Sequence, residues 1–106
     1  MGLFSFLHGP DIDQGVKAYG ETAGAVLLDV RTPQEYRTGH IPGSRNFPLQ
    51  TIGQFRAAAG MDTPLFVYCH SGARSQQAVS ALRRMGYRNV KNIGGIAAYS
   101  GEVESV

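Results

Sequence analysis

The chain has very little cysteine: one residue, Cys69, among 106. A single thiol cannot form an intramolecular disulfide, so the sequence excludes a small secreted scaffold held together by disulfides. No apolar run approaches the roughly 20 residues of a membrane-spanning helix. Residues 1–9, MGLFSFLHG, are apolar but lack the basic region and long hydrophobic stretch of a signal peptide. These absences predict a cytoplasmic protein with no membrane partner.

Charge of either sign is also modest, with ten basic and eight acidic residues for a net charge of +2. This excess is too small to indicate a nucleic-acid partner, and the aromatic residues are not interleaved with basic ones. No carboxylate lies between Asp62 and Glu102, and this interval holds five basic residues: Arg74, Arg83, Arg84, Arg88 and Lys91. The resulting positive field suits an anionic ligand or an acidic partner surface. For the last four, a solvated helix face is the alternative interpretation.

Metal-ligand and nucleotide patterns are missing as well. The histidines, His8, His40 and His70, are widely spaced and form no metal-binding pattern with Cys69. The glycine pair at residues 94–95 is not a nucleotide fingerprint by itself. We therefore predict neither a metal site nor a cofactor.

Short apolar runs alternate with helix-like segments along the whole chain. The runs at residues 25–30, 45–49, 65–68 and 90–93 are typical of strands. The predicted helices cover a short segment from the capping box at 32–35 to Gly39, then residues 51–59, about 75–86 and 96–99. This alternation predicts a single α/β domain with a mainly parallel sheet, its core at about residues 24–100.

The stretch YCHSGARS places Cys69 directly after a buried apolar strand, at the sheet edge where parallel sheets bind ligands. The small residues that follow allow the loop to curl, so that its amides converge on the sulfur. A helix beginning near Ser75, with Ser75 as its cap, would add its positive end. Arg74 can hold an oxyanion through its planar guanidinium.

We therefore predict a nucleophilic Cys69 thiolate with a lowered pKa. An inert buried cysteine is the alternative. The predicted substrate-binding residues are His70, Ser71, Gly72, Ala73, Arg74 and Ser75.

Four motifs carry a resemblance to a known family. In chain order they are Leu28-Asp29-Val30-Arg31 with Pro33, Glu35 and Tyr36; residues 39–44 with Asn46 and Pro48; residues 69–75; and Gly94-Gly95-Ile96. With these motifs the chain resembles the single-domain rhodanese, or thiosulfate sulfurtransferase-like, family. The resemblance implies a central parallel sheet of about five strands with helices on both faces.

The resemblance also implies an activity. The cysteine would take a sulfane sulfur from thiosulfate or a persulfide and pass it to cyanide or a thiol, with Arg74 binding the oxyanion of the donor. A protein persulfide is a further candidate for donor or acceptor. Two positions depart from the family pattern. His70 stands where thiosulfate-preferring members often have a basic residue, and Tyr99 stands where many relatives have Trp.

Four further residues are predicted to support the site. Asp29 and Arg31 are expected to brace a strand end through polar contacts. Glu35 is expected to complete the capping box, and His40 to brace a turn or to face the pocket.

Other functions remain open at this point. Cysteine phosphatases of a related fold have five residues between Cys and Arg, whereas four separate Cys69 from Arg74, which makes a narrower loop. Arsenate reduction uses a similar scaffold. A rhodanese-like docking module or a persulfide carrier is the non-enzymatic alternative.

Overall fold

The computed structural model of the chain describes residues 10–106. The predictions made for the apolar segment 1–9, which includes His8, lie outside the described residues. The elements are, in order, helix α1 (Ile12–Gly20), strand β1 (Val26–Asp29), helix α2 (Pro33–Thr38), strand β2 (Arg45–Asn46), a first 3₁₀ helix (Leu49–Gln54), strand β3 (Leu65–Cys69), helix α3 (Ala73–Arg84), strand β4 (Val90–Gly95) and a second 3₁₀ helix (Ile96–Ala98).

The four strands found in residues 10–106 form one parallel sheet in the order β2-β1-β3-β4. Leu28 pairs with Val67, and Val67 pairs with Asn92. Strand β3 lies between two neighbours and is buried along its whole length. The predicted α/β class and parallel sheet are confirmed, and four strands is close to the expected five.

Helices cover both faces of this sheet, as predicted. Successive strand residues point to opposite faces, so Leu28 and Leu27 enter different cores. Leu28 packs with the core formed by α3 and the first 3₁₀ helix, which includes Leu82 and Phe55. Leu27 packs with Ile12 of α1 on the opposite face. The two cores fix the sheet between them, which gives the carboxyl ends of the strands a rigid base.

Several element boundaries differ from the predicted ones. The helix expected at residues 51–59 is a 3₁₀ helix that ends at Gln54, because Phe55 adopts an extended backbone and buries its ring in the core. Strand β4 continues through the glycine pair, since Gly94 and Gly95 still pair with the end of β3. The turn predicted to start at Gly94 is therefore part of the strand.

Helix α1 was not predicted from the sequence. Asp11 caps it by accepting hydrogen bonds from the amides of Asp13 and Gln14. Gly15 weakens its helical pattern, yet a side chain at this position would collide with Ile93 of β4. Close packing on the sheet therefore outweighs the low helix propensity of glycine. Within residues 10–106, the helices are all too short or too polar to cross a bilayer.

Candidate active site

Cys69 is the last residue of β3 and lies at the carboxyl edge of the parallel sheet. Residues His70 to Gly72 then turn the chain into helix α3. Cys69 is only 1% exposed, whereas His70 and Ser71 are exposed. The thiol is thus covered by its own loop, and the two residues that follow it form the outer surface of that loop.

Two amides and one hydroxyl surround the Cys69 sulfur. The amide of Gly72 lies 3.0 Å from Sγ, and the amide of Ser75 lies 3.3 Å from it. The Ser75 hydroxyl oxygen is 3.4 Å from Sγ. The amides of the first turn of α3 have no carbonyl partner within the helix, so they are free to point at an anion. The loop and the helix end together form a positively polarised cradle around one sulfur.

This cradle changes the acidity of the thiol. Burial raises the pKa of Cys69, but the hydrogen bonds from the Ser75 hydroxyl and from the amides of Ser75, Gly72 and Ser71 together outweigh it. The pKa of Cys69 therefore lies below its ordinary value, in the direction predicted from the sequence. The thiolate is the nucleophilic form of cysteine.

The prediction that Ser75 caps the helix is wrong. Helix α3 begins at Ala73, and its N-cap is Gly72 with a left-handed φ of 104°. Ser75 falls in the first turn instead, where its hydroxyl faces inward and lies 3.0 Å from the carbonyl oxygen of Gly72. The tight loop permitted by Gly72 starts the helix earlier, and this brings Ser75 to the sulfur.

Asn92, which was not predicted, connects strand β4 to the loop. Its Oδ1 accepts from the Ser75 hydroxyl at 2.7 Å and from the Gly94 amide at 3.0 Å. Its Nδ2 donates to the Gly72 carbonyl at 3.1 Å. Asn92 thereby holds two of the residues that contact Sγ. Its signal in the sequence is faint: a polar residue within a strand, two positions before Gly94.

The glycine pair of β4 brings the backbone of this strand against the loop. A Cβ at Gly95 would collide with the carbonyl group of His70 and with Cα of Ser71. The His70 carbonyl also accepts from the Ala97 amide at 3.1 Å. The absence of a side chain at Gly95 is thus a condition for the shape of the loop.

Arg74 forms a two-pronged ion pair with Glu35. Its Nη1 and Nη2 donate to Oε1 and Oε2 of Glu35 at 2.8 and 3.0 Å. The predicted capping box is present, since Glu35 also accepts from the Thr32 amide at 3.0 Å. The hydrogen bond from Arg74 lowers the pKa of Glu35 to about 2.

The ion pair lies within electrostatic range of the sulfur. Glu35 raises the pKa of Arg74 most strongly through its hydrogen bond, and the charge of the Cys69 thiolate raises it further. Arg74 lies in the first turn of α3, between Gly72 and Ser75, whose amides contact Sγ. Its two outer nitrogens, however, already contact a carboxylate. Sequence reasoning missed this contact, since 39 residues separate the two partners.

Asp29 and Arg31 form a buried pair at the end of β1, with Nη2 of Arg31 2.7 Å from Oδ2 of Asp29. The same nitrogen donates to the Gly39 carbonyl at 2.7 Å. The side chain of Asn46 donates to both backbone carbonyls of the pair. These contacts link the end of β1 to the loops that follow it.

His40 braces a turn. Its ring stacks on Tyr36 at 3.8 Å between centroids, and its Nδ1 lies 2.9 Å from the Tyr36 carbonyl oxygen. Its backbone pairs with that of Glu104 in the C-terminal segment. These contacts favour the bracing interpretation over a role facing the pocket.

A cavity of about 370 Å³ lies beside the loop. Its lining includes His70, Ser71, Gly72, Asn92 and Ala97, but neither Cys69 nor Arg74. It therefore borders the part of the loop that packs on β4, and the hydrogen bonds to Sγ define the candidate site better than this cavity does. Among residues 10–106, no three His, Cys, Asp or Glu side chains are grouped as a metal site would require.

Comparisons with known proteins agree with this fold. A family model described as Rhodanese-like domain matches residues 13–102. The chain is 37% identical over 82 residues to the uncharacterized protein YqhL of Bacillus subtilis, and the matched region covers 76% of this chain and 65% of that protein. It is 41% identical over 73 residues to the thiosulfate sulfurtransferase GlpE of Stutzerimonas stutzeri, and here the matched region covers 69% of this chain and 67% of that protein. The chain thus spans about two thirds of the length of these relatives.

Solved structures show the same similarity. A structure described as rhodanese with anions from E. coli superposes with a TM-score of 0.70 at 31% identity, covering 77% of this chain and 99% of that one. The human single-domain sulfurtransferase TSTD1 gives a TM-score of 0.68 at 28% identity, covering 81% of this chain and 87% of that one.

Proposed function

The chain belongs to the rhodanese-like domain family, and on this premise we propose that it is a sulfurtransferase which carries a sulfane sulfur on Cys69. The observation that supports this best is the set of three polar groups around Sγ, namely two amides that donate to it and the hydroxyl of Ser75. Such an arrangement stabilises a negative charge on sulfur without any metal or base.

In the first half-reaction the Cys69 thiolate attacks the outer sulfur of the donor. A bond forms between the two sulfurs, the bond between that outer sulfur and the rest of the donor breaks, and its electron pair leaves with the departing group. With thiosulfate the leaving group is sulfite, and Cys69 becomes an anionic persulfide. The total charge is −3 before and after, and no proton moves.

In the second half-reaction a nucleophilic acceptor, cyanide or a thiolate, attacks the outer sulfur of the persulfide. The bond to Cys69 breaks and its electron pair returns to Sγ as a thiolate. In this proposal the donor of the first half-reaction is a small anionic sulfur compound or a protein persulfide. A cytoplasmic location, where thiols stay reduced, fits this chemistry.

The loop residues have distinct proposed roles in this cycle. The amides of Ala73 and Arg74, in the first turn of α3, have no partner inside the helix and would hold the outer sulfur together with the helix dipole. The guanidinium of Arg74 would contact the oxyanion of the donor. His70 and Ser71, which are exposed on the loop, would contact the donor as it approaches. The buried pair of Asp29 and Arg31 would brace the end of helix α2, which carries Glu35, through its hydrogen bond to the Gly39 carbonyl.

Mass spectrometry of the intact chain tests the proposal. After incubation with thiosulfate, or with a low-molecular-weight persulfide, the chain should gain one sulfur atom, and cyanide or a thiol should then remove it. The Cys69→Ser variant, with an unchanged circular dichroism spectrum, should gain none.

If no donor adds sulfur to Cys69, the transferase proposal is overturned and a rhodanese-like docking module takes its place. Release of phosphate from aryl phosphates by the parent chain but not by Cys69→Ser would instead support a phosphatase.

A further inference from the structure

Arg74 is the one cationic side chain proposed to bind the donor, and it is already engaged in an ion pair with Glu35. Both outer guanidinium nitrogens donate to the carboxylate, at 2.8 and 3.0 Å. Both side chains are about one third exposed, at 33% for Arg74 and 35% for Glu35, so a small solute can reach them. The capping box holds the carboxylate in place, because its Oε1 also accepts from the Thr32 amide.

We propose that Glu35 is a specificity-determining residue, whose carboxylate competes with the oxyanion of the donor for Arg74 and so disfavours doubly charged donors such as thiosulfate. The chemical class favoured by this site is the sulfane donor of low negative charge, such as a persulfide. This inference rests on the proposed sulfurtransferase function and names its substrate class.

A count of the charges near the sulfur supports this selectivity. The Cys69 thiolate and Glu35 contribute −2, Arg74 contributes +1, and the buried pair of Asp29 and Arg31 cancels. The sum is −1, which the helix end offsets by only about half a charge. A dianionic donor is therefore repelled twice as strongly as a monoanionic one. Removing the charge of Glu35 brings the net charge of these side chains to zero and leaves Arg74 without a carboxylate partner.

The Glu35→Gln variant isolates this charge. Glutamine serves equally well in a capping box, so helix α2 keeps its N-terminal structure. Two donors with the same chemistry but different charge are needed. Thiosulfate carries two charges and releases sulfite, and methanethiosulfonate carries one charge and releases methanesulfinate. Each delivers its outer sulfur to the Cys69 thiolate with the same bonds formed and broken.

The measured quantity is the KM of each donor for the transfer of its outer sulfur to Cys69. The assay is run at a pH of about 8, because this pH lies above the ordinary titration range of histidine. In Glu35→Gln we expect KM to fall roughly tenfold for thiosulfate and roughly threefold for methanethiosulfonate. A unit charge about 6 Å away in water-like surroundings changes binding by roughly threefold for each charge on the donor. Added salt should shrink both effects.

The matched control is Asp62→Asn, which makes the same change in net charge far from the loop. Asp62 pairs with Arg88 through a 2.7 Å contact in which both side chains are mostly exposed. This variant should leave both KM values at those of the parent chain.

An unchanged or higher KM for thiosulfate in Glu35→Gln would overturn the inference, because Glu35 would then be holding Arg74 in position for the donor. Equal changes for the two donors would overturn it too, since charge would not be the cause. If neither donor loads Cys69 of the parent chain, the proposed function fails first, and this inference with it.

Discussion

Replacement of Ser75 by alanine tests how the loop turns Cys69 into a nucleophile. The substitution removes one oxygen atom from a fully buried site and keeps the Ser75 amide that lies 3.3 Å from Sγ. The hydroxyl makes the strongest single contribution among the groups that lower the pKa of Cys69. Its loss should therefore raise the pKa of Cys69 and reduce the thiolate fraction at neutral pH.

The structure sets the size of this effect. A hydrogen bond to a charged group contributes about 1.5–3 kcal/mol. The Ser75 hydroxyl proton is shared, however, since Oγ lies 3.4 Å from Sγ but 2.7 Å from Oδ1 of Asn92. We therefore expect a loss of about 1 kcal/mol, which corresponds to a fall of about fivefold in the thiolate population below the pKa.

The assay is the rate of alkylation of Cys69 by iodoacetamide across a range of pH. Cys69 is the only thiol, so no other residue contributes to the signal. At pH values below the titration midpoint the rate should fall about fivefold in Ser75→Ala, and the midpoint itself should move upward. Ser80→Ala, the same change on the same helix, should match the parent chain.

A Ser75→Ala variant that folds normally and is alkylated as fast as the parent, with the same midpoint, would refute the reasoning. The amides and the helix end would then account for the acidity of the thiol by themselves.

Two further predictions concern stability and loop shape. The melting temperature should rise with pH from the lowered pKa of folded Cys69 up to the ordinary value of 9.0, because the unfolded chain keeps the thiol proton in that window. Cys69→Ala should flatten this rise, and an unchanged slope would contradict it. Gly95→Ala should prevent the transfer of sulfur to Cys69, because the added Cβ collides with the His70 carbonyl. In Gly53→Ala the added Cβ meets nothing within 4 Å, so sulfur transfer to Cys69 should be normal. Equal loading of both variants would argue against the close approach.

Much of the fold was predictable because its signals are local. The apolar run before Cys69, the capping box of helix α2 and the apolar spacing of α3 each depend on neighbours a few residues apart, and all three elements are present. Helix α1 escaped prediction because Gly15 is a poor helix former and is explained only by its contact with Ile93 of β4. The helix expected after residue 51 was cut short by the burial of Phe55.

The sequence by itself determined the chemistry available at the site: one thiol at the end of a buried strand, small residues after it and an arginine five residues after the thiol. Only the tertiary structure decided how these groups are held and charged. Asn92 reaches the loop from a strand 17 residues after Ser75, and Glu35 reaches Arg74 across 39 residues. Periodicity and turn propensity act over a few residues along the chain. Contacts between distant segments exist only after the sheet has brought those segments to one edge.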